Sequence, residues 1–260
     1  MRTGDIRCRR LWQQIFDIYE SIAEIVNAFR FELSRVQTPA VRERMVSGLM
    51  NVADELAESV AEGLGIREMP EPMPKVLQRE VKPEVAQSPA LSLFARPGDG
   101  SIQTRRIAIL VADGCDGQSL TALADQLSNE GAVPRFVATT LGSIDAADGN
   151  TIEVDVTLEA MPAVLYDALV LPDGADANDA LRADGRTLEF IKDQYRHCKP
   201  ILALGASEEL LATCGITSTL PDGNADPGII TSDDGEAARE FIEAIARHRH
   251  FERETDPPRV

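Results

Sequence analysis

The stretch Arg105–Gly117, RRIAILVADGCDG, constrains the fold more than any other. Its apolar run Ile107-Ala108-Ile109-Leu110-Val111-Ala112 shows no polar alternation and stops abruptly at Asp113-Gly114. A strand apolar on both faces is buried on both faces, as a central strand of a parallel sheet is. The turn then launches an amphipathic helix over about Asp116–Glu130. Leu120, Leu123, Ala124 and Leu127 fall at helical spacing, and Gly131 stops it. Strand, acidic turn and helix make half of a βαβ unit. In such sheets a ligand sits at the carboxyl ends of the strands, so chemistry is expected near Asp113–Gly117.

The chain beyond keeps the same alternation. Strands are predicted at Pro134–Thr139, Asp167–Pro172, Lys199–Leu204 and Gly228–Thr231, and a hairpin at Gly142–Val154 turns on Asp148-Gly149-Asn150. One or two helices cover Asp176–His197, and further helices cover Ser207–Thr213 and Gly235–His248. This order predicts an α/β fold with a doubly wound parallel sheet over residues 105–250, and a disordered tail over 251–260.

Before it, Leu11, Trp12, Ile15, Phe16, Tyr19, Ile22, Val26, Phe29, Leu33 and Val36 trace one helical stripe. Thr38-Pro39 restarts the chain as N-cap and first helical residue. A second helix then carries Val41, Met45, Leu49, Val52, Leu56 and Val60 to a stop at Gly63. Two such helices cannot bury their stripes on each other alone, so a partner surface is expected. Residues 1–66 thus form an α-helical segment and 67–104 a linker. Pro70, Pro72, Pro74, Pro83, Pro89 and Pro97 bias that linker toward extended polyproline backbone. Its apolar patch Leu91-Ser92-Leu93-Phe94 is expected to dock on something.

The formal charge is −17, yet residues 1–67 hold nine Lys and Arg against ten Asp and Glu. Nearly all the acidity therefore lies beyond Arg67, which argues against nucleic acid or an anionic membrane as partner. No apolar run approaches the roughly 18 residues of a membrane span, and the N-terminus lacks the apolar core of a secretory signal. Cys8, Cys115, Cys198 and Cys214 have neither CxxC spacing nor disulfide density, which predicts reduced thiols and a cytoplasmic location.

Three turns share one layout of apolar strand, small or acidic residues, then helix. They are Asp113-Gly114-Cys115-Asp116, Pro172-Asp173-Gly174-Ala175 and Leu204-Gly205-Ala206-Ser207. Here the chain resembles the intracellular protease/deglycase superfamily, flavodoxin-like relatives of class I glutamine amidotransferases. In that superfamily the third turn is a nucleophile elbow, Lys-Pro-(apolar)-Ala-(apolar)-Cys-His-Gly, exposing a thiol at a helix N-terminus. Matching KPILALGAS to it puts Gly205 at the cysteine position and Ala206 at the histidine, with Asp116 near the assisting acid. The nucleophile is missing, and with it the basis for hydrolase, deglycase or amidotransferase chemistry.

A domain disabled in this way is the C-terminal domain of the large-subunit haem catalases. Phe29–Val36 (FRFELSRV) and Thr38–Arg44 (TPAVRER) resemble the helical region that follows the haem barrel in that family. Leu56–Gly65 (LAESVAEGLG) and Ser88–Ser92 (SPALS) are similar to what comes next. The likeness spans about Leu11 to the last helix. It implies haem and hydrogen peroxide breakdown in the complete enzyme, from a barrel that would precede residue 1. For this chain it implies a stabilising domain with no catalysis, cofactor or metal of its own, partnered by itself or by a haem-barrel domain.

Two other readings stand beside this one. A binding or chaperone-like role follows if the helical stripes are exposed. A thiol-dependent enzyme follows if Cys115 is reactive, although Asp113 and Asp116 beside it should raise its pKa. Cys198 and Cys214 read as small hydrophobes. His248-Arg249-His250 with Glu252 is no chelate, because side chains at i and i+2 on a helix diverge; it reads as a solvated helix end. No glycine-rich phosphate loop occurs.

Overall fold

The computed structural model describes residues 22–75, 100–231, 237–255 and 259–260. The chain divides into two compact units, Met1–Pro97 and Gly98–Val260. The predicted stripe over 11–21 and the patch Leu91–Phe94 lie outside the described residues.

The first unit holds three described helices, α1 (Ile22–Ser34), α2 (Pro39–Leu49) and α3 (Asp54–Gly63). Thr38 stands at the N-cap of α2 with Pro39 behind it, as predicted, but its hydroxyl makes no capping bond. The single helix predicted over 41–63 is two. Met50–Ala53 interrupts it, with Ala53 in extended backbone, and Asp54 and Glu55 open α3 where acidic groups favour a helix N-terminus. The break also engages the chain beyond: the Asn51 amide donates to Met73 O (2.6 Å) and Ser47 Oγ to Glu71 O (2.7 Å). The start of the predicted linker is therefore tied back onto the helices. Splitting the second helix changes the packing. Val26, Leu33, Val46, Leu49, Leu56, Ala57, Val60 and Ala61 share one core, and Arg30 clips α1 to α3 by donating to Ser59 O. Among the described residues, the apolar faces of α1, α2 and α3 thus pack on one another.

The second unit is a parallel six-stranded sheet with helices on both faces. Its strands are β1 (Arg106–Leu110), β2 (Val133–Ala138), β5 (Val156–Thr157), β6 (Ala168–Leu171), β7 (Ile201–Ala203) and β8 (Ile229–Thr231), in the order β5-β2-β1-β6-β7-β8. The hairpin β3 (Ser143–Asp145) and β4 (Thr151–Glu153) is separate and antiparallel. The five strands β2-β1-β6-β7-β8 carry the flavodoxin-like order, with β5 added at the β2 edge, and the connection reverses direction between β1 and β6. Alternation along β1 sorts the core into two layers. Ile107 and Ile109 face α4 (Gly117–Asn129) and α8 (Ala237–Ala246), with Leu120, Leu127, Phe241 and Ile245. Ala108 and Leu110 face α5 (Ala175–Arg182), α6 (Gly185–Arg196) and the short α7 (Glu208–Thr213), with Leu181, Phe190, Ile191 and Leu210.

Two boundaries differ from expectation. Order begins before residue 105, because Ile102 is already in the core and Thr104 N donates to Gly131 O. The disordered tail predicted over 251–260 instead continues into a 3-10 turn, Phe251–Arg253, with Arg253 buried. His250 is buried too, its Nε2 at 3.2 Å from Ala244 O, rather than on a solvated helix end.

Candidate functional site

The switch point between β1 and β6 brings the three turns together at the carboxyl ends of β1, β6 and β7. In the first, Asp113 accepts from Asp145 N (2.8 Å) and Gly114 N donates to Asp145 O (2.8 Å), so the turn is fastened to the β3–β4 hairpin. Ala147 N adds a bond to Cys115 O (2.9 Å). Asp116 caps α4. Its carboxylate accepts from Ser119 N (3.2 Å) and Ser119 Oγ (2.5 Å), and its own amide donates to Asp173 O (3.1 Å). The acid expected to assist a thiol is thus committed to a helix N-terminus.

The second turn carries the residue that sequence reasoning missed. Asp173 Oδ1 accepts from its neighbour Gly174 N (2.7 Å) and from Ala206 N of the third turn (3.0 Å). Gly174 has φ 117°, and a Cβ there would lie 2.3 Å from Gly114 O, so only glycine lets the two turns close up. The only signal for Asp173 was the Asp-Gly pair after β6, which reads as a turn and nothing more.

The third turn keeps an elbow backbone without its nucleophile. Gly205 has φ +48°, in the left-handed region, and opens a 3-10 turn, Gly205–Ser207. A Cβ on Gly205 would fall 2.3 Å from Asp173 Cγ. The carboxylate therefore fills the space into which a side chain at 205 would project. Ala206 contributes its amide and no side-chain chemistry. Ser207 is buried and donates its hydroxyl to Leu204 O (2.8 Å).

Cys115 is fully buried. Its thiol pKa is raised, chiefly by burial, with the Asp148 and Asp116 carboxylates adding; two backbone hydrogen bonds pull the other way. The direction matches expectation while the cause differs. Desolvation leads, and Asp148 of the hairpin turn replaces Asp113, whose carboxylate is spent on Asp145. Among the described residues no group of three or more His, Cys, Asp or Glu is arranged to hold a metal, and no helix is long and apolar enough to cross a membrane.

The model of the C-terminal domain found in long catalases matches residues 103–255, more than half of the chain. The chain belongs to that family. A second model, described as catalase-related immune-responsive, matches residues 20–64, the helical unit. Catalase HPII of Pseudomonas putida is 35% identical over 232 residues, covering 88% of this chain and 30% of that protein. Catalase C of Rhizobium meliloti is 36% identical over 230 residues, covering 88% and 32%, and catalase HPII of Mycobacterium avium is 36% identical over 242 residues, covering 89% and 33%. The chain spans about a third of the length of these curated relatives.

The family resemblance implies haem in the complete enzyme, and none of Tyr166, Tyr195 and His250 is placed as a ligand for it. A ligating tyrosine must ionise, yet burial pushes Tyr166 up to about 12, and its hydroxyl lies 3.6 Å from Met161 Sδ beside the Phe190 ring. Burial also raises Tyr195, which lies under the Arg253 guanidinium. His250 is spent on Ala244 O.

Proposed function

We propose that this chain provides the helical region, linker and flavodoxin-like domain of a long catalase, and acts by stabilising that enzyme rather than by chemistry of its own. Hydrogen peroxide breakdown to water and oxygen then belongs to a haem-bearing domain, which is also the partner of this one. The observation that carries the reading is the Asp173 carboxylate seated in the space above Gly205. The place where this fold would hold a nucleophile is filled by a carboxylate already engaged by two backbone amides. The match to long catalases over most of the chain supports the remainder.

Two measurements test it. The purified chain, mixed with an equivalent of haem, is expected to consume no peroxide; turnover overturns the reading. Added to a long catalase whose own C-terminal third has been removed, the chain should raise the midpoint of thermal inactivation. An unchanged midpoint overturns the stabilising role.

A binding role of its own draws support from the helical unit, which leaves Phe31, Val41 and Met45 exposed. Suppressed aggregation of a heated test protein, absent for Phe31→Ser, favours this second reading.

A further inference from the structure

We propose that Asp173 is the built-in occupant of the elbow, a lock in which its carboxylate and the missing side chain of residue 205 exclude each other. The inference goes beyond a missing nucleophile, because it says that restoring a side chain at 205 alone cannot reopen the site.

Three features carry it. Backbone donors from two turns far apart in sequence, Gly174 N and Ala206 N, converge on one oxygen, Asp173 Oδ1. Converging amides at an elbow are the arrangement that stabilises an oxyanion in acyl-transfer sites, and here a carboxylate of the chain itself satisfies them. The volume is taken as well: a Cβ at 205 would meet Asp173 Cγ at 2.3 Å, Oδ1 at 2.3 Å and Oδ2 at 2.5 Å. Third, the backbone on either side of Asp173 is fixed, so the carboxylate can leave the space only by turning about its own side-chain bonds and giving up both amide bonds. Its own backbone carbonyl is held by Asp116 N, and the following Gly174 is wedged against Gly114. Asp173 therefore bridges the turns after β1, β6 and β7, and its removal opens both a volume and a pair of amide donors.

The lock rests on the non-catalytic reading only in explaining why the elbow is silent. Its test measures stability, not peroxide turnover, so the two fail separately. In the full chain, Gly205→Ala is expected to lower the thermal midpoint by about 5 °C or more. In an Asp173→Ala background the same change should cost less than half as much, the residue being left-handed backbone strain. Equal losses in the two backgrounds overturn the proposal. A second arm needs no change at Gly205. Formate, the smallest carboxylate, should raise the midpoint of Asp173→Ala in a concentration-dependent way and leave the parent chain and Asp173→Asn unmoved. A formate response shared by all three is a general salt effect, and it overturns the claim that the carboxylate holds the paired amides.

Discussion

Arg253 and Asp226 form an ion pair, Nε to Oδ2 at 2.6 Å, with the two side chains only 1% and 0% exposed. Around it, Arg253 Nη1 donates to Lys199 O (2.6 Å), Asp226 Oδ1 accepts from Gly228 N (2.8 Å), and the guanidinium lies over the Tyr195 ring. Lys199 lies two residues before β7 and Gly228 one before β8, so the pair fastens the chain after α8 to the amino ends of these two strands. Removing one member of a buried pair strands the other charge, at about 3–5 kcal/mol. Arg253→Ala is expected to lose stability on that scale in urea unfolding, and Arg253→Met with Asp226→Leu to recover most of it. A loss under about 1 kcal/mol for Arg253→Ala, the range of an exposed pair, contradicts this account.

Lys199 makes stability rise with pH on the alkaline side. It is 1% exposed and donates from Nζ to Ala163 O (2.9 Å). Burial, with the Arg249 guanidinium adding, lowers its pKa from 10.5 to about 8. Between about pH 8 and 10.5 the unfolded chain therefore holds a proton that the folded chain has released, and stability climbs by up to about 1.4 kcal/mol per pH unit. Lys199→Met should be the more stable form at pH 7 and lose its lead as the pH rises through that window. Asp167 works at the other end. Burial opposes its ionisation, but the His248 ring, the Arg106 amide and Arg105 outweigh it and hold the pKa at about 2. Its contribution is complete above the ordinary 3.8 and is lost as pH falls through 2, a loss that Asp167→Asn should not show. Urea midpoints across the pH range read both.

The middle of the sheet was legible in the sequence because β1, β6 and β7 are buried on both faces, so Ile107–Ala112 and Ala168–Leu171 appear as unbroken apolar runs, whereas the short β5 at the edge was not anticipated. The two outer layers followed from helical spacing, Leu120, Leu123 and Leu127 on one face and Leu188, Ile191 and Tyr195 on the other. What escaped depends on single polar residues. The apolar period continues through Leu49, Val52 and Leu56, and nothing in that spacing reveals that the helix stops at Leu49 and that Asn51, in the break, turns its amide to Met73. Arg253 follows the last helix among other charges, and its burial depends on Asp226, 27 residues earlier. At the site, the absence of a nucleophile at Gly205 was visible as a mismatch to a motif. Its occupant was not, since the approach of Asp173 depends on how closely two turns pack.

The buried thiols should be silent in the folded protein. Cys115, Cys198 and Cys214 are all buried. Burial raises Cys115 and pushes Cys214 up to about 11, so the thiolate needed for alkylation is scarce at neutral pH. Mass spectrometry of peptides after iodoacetamide treatment at pH 7.5 should find these three unmodified in the native chain, labelling only at the rate of unfolding. Fast modification of Cys115 in the folded state would instead favour the thiol-enzyme reading.

Asp116 offers a choice between two roles that a pair of substitutions separates. As an N-cap, its side-chain oxygen satisfies Ser119 N, one of the unpaired donors at the start of α4. Asp116→Ala should then cost about 1 kcal/mol, and Asp116→Asn, whose carbonyl oxygen caps equally well, only a few tenths. If the negative charge were what mattered, as for an acid poised to assist a thiol, Asn and Ala would behave alike. The bond from Asp116 N to Asp173 O comes from the main chain and survives both changes. Chemical unfolding of the two variants decides the matter, and nearly equal losses remove Asp116 from the capping role.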